Sequence, residues 1–360
     1  MKHIPQALSY DDVLLVPHYS DILPTETHLS TQLGWLKLAL PFMSAPMDTV
    51  TESAMAIVLA KMGGIGIIHK NMSVGSQAAE VAKVARKKLL VGAAVSVGDE
   101  QFERARLCVQ AGAAVLVVDS AHGHSKGIIE QVQRLKKTFQ KKVVIVGGNV
   151  ATKEGTRALI QAGADVVKVG MGPGSICTTR IVAGIGVPQF TAVMHCAAEA
   201  KKFKKTIIAD GGIKYSGDAV KALAAGAHVV MMGGMFAGTD EAPGEIIKNE
   251  AGMKLKMYRG MGSIDAMEKG SKDRYGQKST KEKQKLVPEG VVGYTPYQGS
   301  VKEIVFQLAG GVRSGLGYNG VKTIKELQQK AEFVQITSAG LSESHPHTLA
   351  SIQASPNYKK

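Results

Sequence analysis

The stretch VVIVGGNVATKEGTRALIQAGADVVKVGMGPG, Val143–Gly174, contains one complete structural repeat. It opens on an apolar run, continues through a segment of helical spacing, and closes on a second apolar run that breaks at glycines. Nearly continuous apolar runs are what strands buried on both faces require. In GTRALIQAGA the apolar positions fall on one stripe and the polar ones on the other, the pattern of a helix laid against a sheet. Two strands joined by such a helix pair in parallel, because parallel neighbours need a crossover connection.

Working outward, the same unit recurs. Apolar runs begin at Leu40 (LPFMSAPM), Gly64 (GIGIIHK), Leu89 (LLVGAAV), Val115 (VLVVDSAHG), Val143, Val166, Thr206 (TIIADGG) and His228 (HVVMMGG). Most starts lie 22 to 28 residues apart, and the sixth interval is longer. One strand-helix unit occupies about 30 residues. Eight units predict an α/β protein of the (β/α)8 TIM-barrel class, although an open doubly wound sheet shares this periodicity. From Met257 to Gly293 the texture becomes glycine- and lysine-rich with little periodicity, which predicts a long mobile flap after strand eight. Helical spacing resumes in VKEIVFQLAGGVRSGLGY, expected to be the last barrel helix. No linker separates two complete domains, so residues 1–360 read as a single catalytic domain with the flap, 257–293, inserted in it.

Composition narrows the function classes. Of 360 residues, 44% are hydrophobic and 41 are glycine, which excludes a disordered chain. No run of eighteen apolar residues suggests a membrane span. The 44 basic against 30 acidic side chains leave a charge of +14, which favours anionic ligands such as nucleotides. Three cysteines, Cys108, Cys177 and Cys196, are too few and too odd in number for a disulfide framework. The N-terminus MKHIPQALSYDD has no apolar signal core, and a cytoplasmic location is expected.

Barrel enzymes carry their chemistry just after the strands. After strand six, GMGPGSICTTR combines Gly170, Gly172 and Gly174, which permit tight turns and close approach to a ligand, with hydroxyls at Ser175, Thr178 and Thr179. Cys177 lies at its tip, where exposure beside backbone N–H donors favours the thiolate and nucleophilic attack. Cys108 and Cys196 fall inside amphipathic helix patterns and read as inert. After strands seven and eight, ADGG (Ala209–Gly212) and GGM (Gly233–Met235) match the place where barrels bind phosphate. With Ser175 they outline a phosphomonoester site. Asp210 is a candidate acceptor for ribose hydroxyls, or a structural cap.

These motifs resemble the inosine 5′-monophosphate (IMP) dehydrogenases. The matching stretches are SYDDVLLVP, MSAPMDTVTE, GGIGIIHKNM, VVDSAHGHS, GGNVAT, VKVGMGPGSICTTR, IADGGIKYSGD, YRGMGS, DRYGQ, LVPEGV and GGVRSGLGY, in order over nearly the whole chain. The resemblance implies that Cys177 attacks C2 of IMP, that hydride passes to NAD, and that water releases xanthosine monophosphate (XMP). It assigns water activation to Arg274 and Tyr275 on the flap, with Thr179 positioning the water and Glu289 contacting the base. Phosphate would be held by Ser175, Gly212, Gly233, Gly234 and Tyr258, ribose by Asp210, and purine by backbone at Gly260, Met261 and Gly262. Asp119, with Ser120, Ala121, Gly170 and Tyr318, would serve the cofactor. A potassium ion would sit on carbonyls of Gly172, Gly174 and Cys177, completed by Glu343, Ser344 and His345 of a neighbouring subunit. Zinc at His345 and His347, or at His122 and His124, is the rival metal reading.

The sequence also departs from the family pattern. Most members insert paired cystathionine-β-synthase-type regulatory modules between strands two and three, whereas here the chain runs straight through between about residues 71 and 89. Ala121 and Tyr318 fit a subgroup whose NAD bridges two subunits, which implies a homotetramer. Guanosine monophosphate (GMP) reductase shares the barrel and the cysteine loop but lacks the Arg–Tyr pair and the PEG segment. A non-catalytic nucleic-acid binder is the reading from another class, resting on KKFKK (Lys201–Lys205), RLKKTFQKK (Arg134–Lys142) and KSTKEKQK (Lys278–Lys285). Those runs read better as solvated faces, and neither membrane nor specific nucleic acid is expected as a partner.

Overall fold

The computed structural model describes residues 4–275, 277, 285–353 and 355–358. Eight parallel strands close into a barrel. They are β1 (Phe42–Ser44), β2 (Ile65–Ile68), β3 (Val91–Val95), β4 (Val115–Asp119), β5 (Val144–Val150), β6 (Val166–Val169), β7 (Thr206–Asp210) and β8 (Val229–Met232). Each lies within one of the eight apolar runs. Closure is made where β8 pairs with β1, Met231 standing opposite Met43. The outer ring is α1 (Ser53–Lys61), α2 (Val74–Ala85), α3 (Asp99–Gln110), α4 (Lys126–Phe139), α5 (Lys153–Gln161), α6 (Gln189–Lys202), α7 (Ser216–Ala224) and α8 (Val301–Tyr318). The last of these coincides with the helix expected from its spacing.

Alternation along each strand builds two cores. In β4, Val115 and Val117 join the cluster inside the barrel with Met43, Ile65, Ile67, Val144, Val146, Ile208 and Met231. Leu116 and Val118 point outward into the larger cluster between sheet and helices. A hairpin, Thr31–Leu33 with Leu36–Leu38, adds Leu33 and Leu38 to the inner cluster. Helix starts follow ordinary capping chemistry: Ser73 accepts from the Ser76 amide at 3.1 Å, and Thr152 from the Gly155 amide at 3.1 Å.

The same alternation sends Asp119, Lys168 and Asp210 toward the barrel axis at the strand ends, where the apolar layers stop. The long interval before β7 contains a short helical turn, Thr179–Val182, as well as α6. Part of the segment expected as a flap is built into the fold. Lys254–Arg259 pairs antiparallel with Val292–Pro296, Ile264–Glu268 is helical, and Ser271–Tyr275 forms a 3-10 turn. Ala266, Met267 and Ser271 are fully buried. Residue 276 and residues 278–284 of the flap, with most of the KSTKEKQK run, lie outside the described residues. Among the described residues no helix is long and apolar enough to cross a membrane.

His228 precedes β8, and burial pushes its imidazole down to about 4. A folded-state value below the free value of about 6.5 means that the neutral ring stabilises the fold above that pH. The contribution is lost as the pH falls from about 6.5 through 4. Denaturant unfolding should therefore show wild type losing on the order of 2 kcal/mol more stability over this window than His228→Gln. Parallel curves for the two proteins would show that His228 carries none of it.

Candidate active site

One cavity of about 490 Å³ opens over the C-terminal ends of the strands. Its wall contains residues from the loops after β1, β6, β7 and β8 and from the segment Tyr258–Glu289. Cys177 is half-buried in that wall, with its Sγ 3.2 Å from Oγ1 of buried Thr179. The cysteine loop is held as a small antiparallel bridge. Thr178 donates to the Glu289 carbonyl at 3.0 Å and Val291 to that of Ile176 at 3.0 Å. Gly290 therefore stands opposite Cys177, and Glu289 is brought to the same cavity because the two backbones pair. The other two cysteines are buried, and burial pushes each thiol up to about 12. Only Cys177 combines access with a polar neighbour.

Two of the glycines expected to cradle phosphate, Gly233 and Gly234, face Ser175 and Tyr258. A Cβ added to Gly234 would meet Ser175 Oγ at 3.4 Å, and one on Gly233 would meet the Tyr258 hydroxyl at 2.7 Å. Gly212 has φ +81° and faces the ring of Tyr10, whose hydroxyl is buried without a partner. The absence of side chains here leaves backbone amides as the cavity wall, which suits an anion. Desolvation raises the Tyr258 phenol above its ordinary value, so it stays a neutral donor.

Deeper in, Lys168 is fully buried and its Nζ lies 2.9 Å from Asp119 and 2.7 Å from Asp210. It also bonds Asn149, whose Nδ2 donates to Asp210 at 2.8 Å and to the Gly170 carbonyl at 2.8 Å. Asp119 divides its oxygens, one to Lys168 and the other to the Arg274 guanidinium. Arg274 also accepts a backbone hydrogen bond from Ala121 at 3.2 Å. Tyr275 packs over Gly262, where an added Cβ would meet its ring at 2.7 Å, and burial raises its phenol pKa.

Asp119, Gly170, Gly172, Gly174, Ser175, Cys177, Asp210, Gly212, Gly233, Gly234, Tyr258, Gly260, Met261, Arg274, Tyr275 and Glu289 thus all line one cavity. Thr179 and Gly262 stand directly behind it. Ser120 and Ala121 follow Asp119, and the Ser120 amide is tied to the Gly148 carbonyl at 3.1 Å. Tyr318 ends α8 exposed and away from the cavity. Glu343, Ser344 and His345 close a C-terminal helix, with His345 against Tyr215 and Tyr358, and do not meet the cysteine loop within one chain. Among the described residues no three His, Cys, Asp or Glu side chains converge as a metal cluster. Sequence reading passed over Lys168 and Asn149, although a lysine inside the apolar run VVKV was a visible signal. It also passed over Lys70 and Asp273, which nothing in the local pattern connects.

A family model described as IMP dehydrogenase / GMP reductase domain matches residues 7–347. The chain belongs to that family. It is 42% identical to an inosine-5′-monophosphate dehydrogenase of Bacillus subtilis, and 41% identical to those of Staphylococcus saprophyticus and Staphylococcus aureus, each over 99% of both chains. These alignments run over 486 or 487 positions, so those IMP dehydrogenases contain residues that this chain lacks.

Gly170 tests how closely the strand ends must approach in this IMP dehydrogenase / GMP reductase barrel. It has φ +151°, and an added Cβ would lie 2.2 Å from the Asp210 carbonyl oxygen. Gly170→Ala should destabilise the protein by about 2 kcal/mol or more. Gly174→Ala, whose new methyl would find only Cys177 Cβ at 3.7 Å, should cost less than about 1 kcal/mol. Denaturant melts of both variants check the contrast, and equal effects would contradict it.

Proposed function

We propose that this chain is an NAD-dependent IMP dehydrogenase that makes XMP for guanine nucleotide synthesis. The observation that supports the reading is the placement of the half-buried Cys177 thiol, a glycine-lined wall beside Ser175 and Tyr258, and the Asp210 carboxylate in one cavity. Ser175, Tyr258 and the amides near Gly212, Gly233 and Gly234 hold the phosphate. Asp210 accepts from the ribose, and backbone at Gly260, Met261 and Gly262 faces the purine. The Cys177 thiolate adds to C2, making it tetrahedral, and hydride leaves as the thioimidate forms. NAD, when bound, supplies the hydride acceptor.

The residues present fit a nicotinamide ribose at Asp119, which opens on the same cavity as Cys177. That carboxylate is taken by Arg274 in the structure. Cofactor and Arg274 therefore compete for one place, and the flap residues enter after the reduced cofactor leaves. Arg274 and Tyr275 then activate water, Thr179 positions it, and attack at C2 releases XMP and restores the thiol. Glu289 contacts the base and relays protons. Carbonyls of Gly172, Gly174 and Cys177 form half of a potassium site. The other half, Glu343, Ser344 and His345, and the cofactor contact of Tyr318 come from a second copy, so the working enzyme is a homotetramer. The residues that relatives carry in excess correspond to a regulatory module between positions 71 and 89. We place the protein in the cytoplasm.

GMP reduction is the second activity in the family's description. Two flap residues favour oxidation, because Arg274 and Tyr275 face the cavity where a hydrolytic water is needed.

With IMP, NAD and potassium the protein should form NADH, and Cys177→Ala should lower the rate by more than about a thousandfold. Consumption of NADPH with GMP in place of that activity would establish the reductase. Arg274→Ala should keep a stoichiometric burst of NADH while steady turnover drops about 10²- to 10⁴-fold. Rapid-mixing absorbance reads both phases, and their equal loss would remove Arg274 from the water step.

A further inference from the structure

The turn that carries Arg274 is pinned at two consecutive residues. Arg274 pairs with Asp119 inside the cavity, and Asp273 pairs with Lys70 outside it. Lys70 follows β2 by two residues, and both members of its pair are almost completely withdrawn from solvent, with side-chain exposures of 4% and 9%. Its other charged neighbours are cationic, Arg104 and Arg274. If the turn lifts, the ammonium loses the carboxylate that pairs with it and keeps the cationic Arg104 as a neighbour. Such a group restores its partner strongly. Buttressing on this side is dense: Asn71 donates to Asp48 at 2.5 Å, Asp48 holds Arg259 at 3.0 and 2.5 Å, and Arg104 bonds the Met72 carbonyl at 3.1 Å. The pair therefore joins a rigid part of the barrel to the residue just before Arg274.

We propose that Lys70 is a positioning residue for the water step, holding the Ser271–Tyr275 turn down through Asp273 so that Arg274, rather than cofactor, occupies Asp119. This rests on the dehydrogenase reading. It goes beyond that reading in naming a residue that touches neither substrate nor cofactor and yet sets the balance between them.

Two readouts test it. Hydrogen exchange of the peptide containing Ser271–Tyr275 in the ligand-free enzyme should quicken about tenfold in Lys70→Met and in Asp273→Asn, and stay near wild type in Lys70→Arg. In a Cys177→Ala background, calorimetric titration with NAD should give about tenfold tighter binding when Lys70→Met is added, because the closed turn no longer competes. IMP affinity should not move. Lys70→Met combined with Asp273→Asn should match either single variant, since both break one link. Unchanged exchange and unchanged NAD affinity in Lys70→Met would overturn the proposal, as would weaker binding of NAD and IMP together, which marks a general structural loss. Failure of the parent Cys177→Ala protein to bind NAD at all would instead strike the dehydrogenase reading, while the exchange result would still decide whether Lys70 holds the turn.

Discussion

An ammonium group with no access to water lies near the axis of the barrel, between two carboxylates that belong to different strands. Lys168 reaches Asp119 on β4 and Asp210 on β7, and Asn149 on β5 closes the set. Below this layer the interior is filled by valine, isoleucine and methionine. A charge buried at such a depth is tolerable only when it is paired and hydrogen-bonded. The arrangement therefore holds two carboxylates at a set separation at the cavity floor. Removing Lys168 would leave two carboxylates without their shared cation, so the layer depends on that one ammonium.

Above that floor the site is assembled by backbone pairing more than by side chains. The Glu289 carbonyl accepts from Thr178, the Val291 amide donates to Ile176, and Gly260 donates to Val291 at 2.9 Å. Through these bonds the segment after β8 is stitched to the loop after β6, across a gap of more than a hundred residues in sequence. Glycines permit the approach: a Cβ at Gly260 would meet the Ile176 carbonyl at 2.9 Å. Cys177, Glu289 and Tyr275 share one cavity because the chain can lie this close only without side chains.

The three cysteines show how environment separates one residue type into two roles. Cys108 faces Gln77 and Arg104 inside the helix layer, and Cys196 is sealed under Thr152. Burial disfavours both thiolates. Cys177 is carried on a turn whose glycines keep the sulfur near the cavity, with a hydroxyl for company.

Much of this was legible in the chain itself. The apolar runs placed all eight strands, since a strand buried on both faces is mostly apolar, and the 3.6-residue stripe placed α8 to the residue. Glycine-rich strand ends marked the cavity because the chain can lie this close to its neighbours there only without a Cβ. Texture did not show that Met257–Gly293 contains a strand and a buried turn, which are held by distant partners rather than by their own periodicity. Lys168 was visible as an oddity but mute, and Lys70 and Asp273, about two hundred residues apart, were invisible as a pair. Local sequence determined which segments form strands and helices and which strand ends border the cavity, because those depend on burial and backbone freedom read a few residues at a time. Only the closed barrel decided which charges meet, because an ion pair depends on a distance through space that spacing along the chain does not encode.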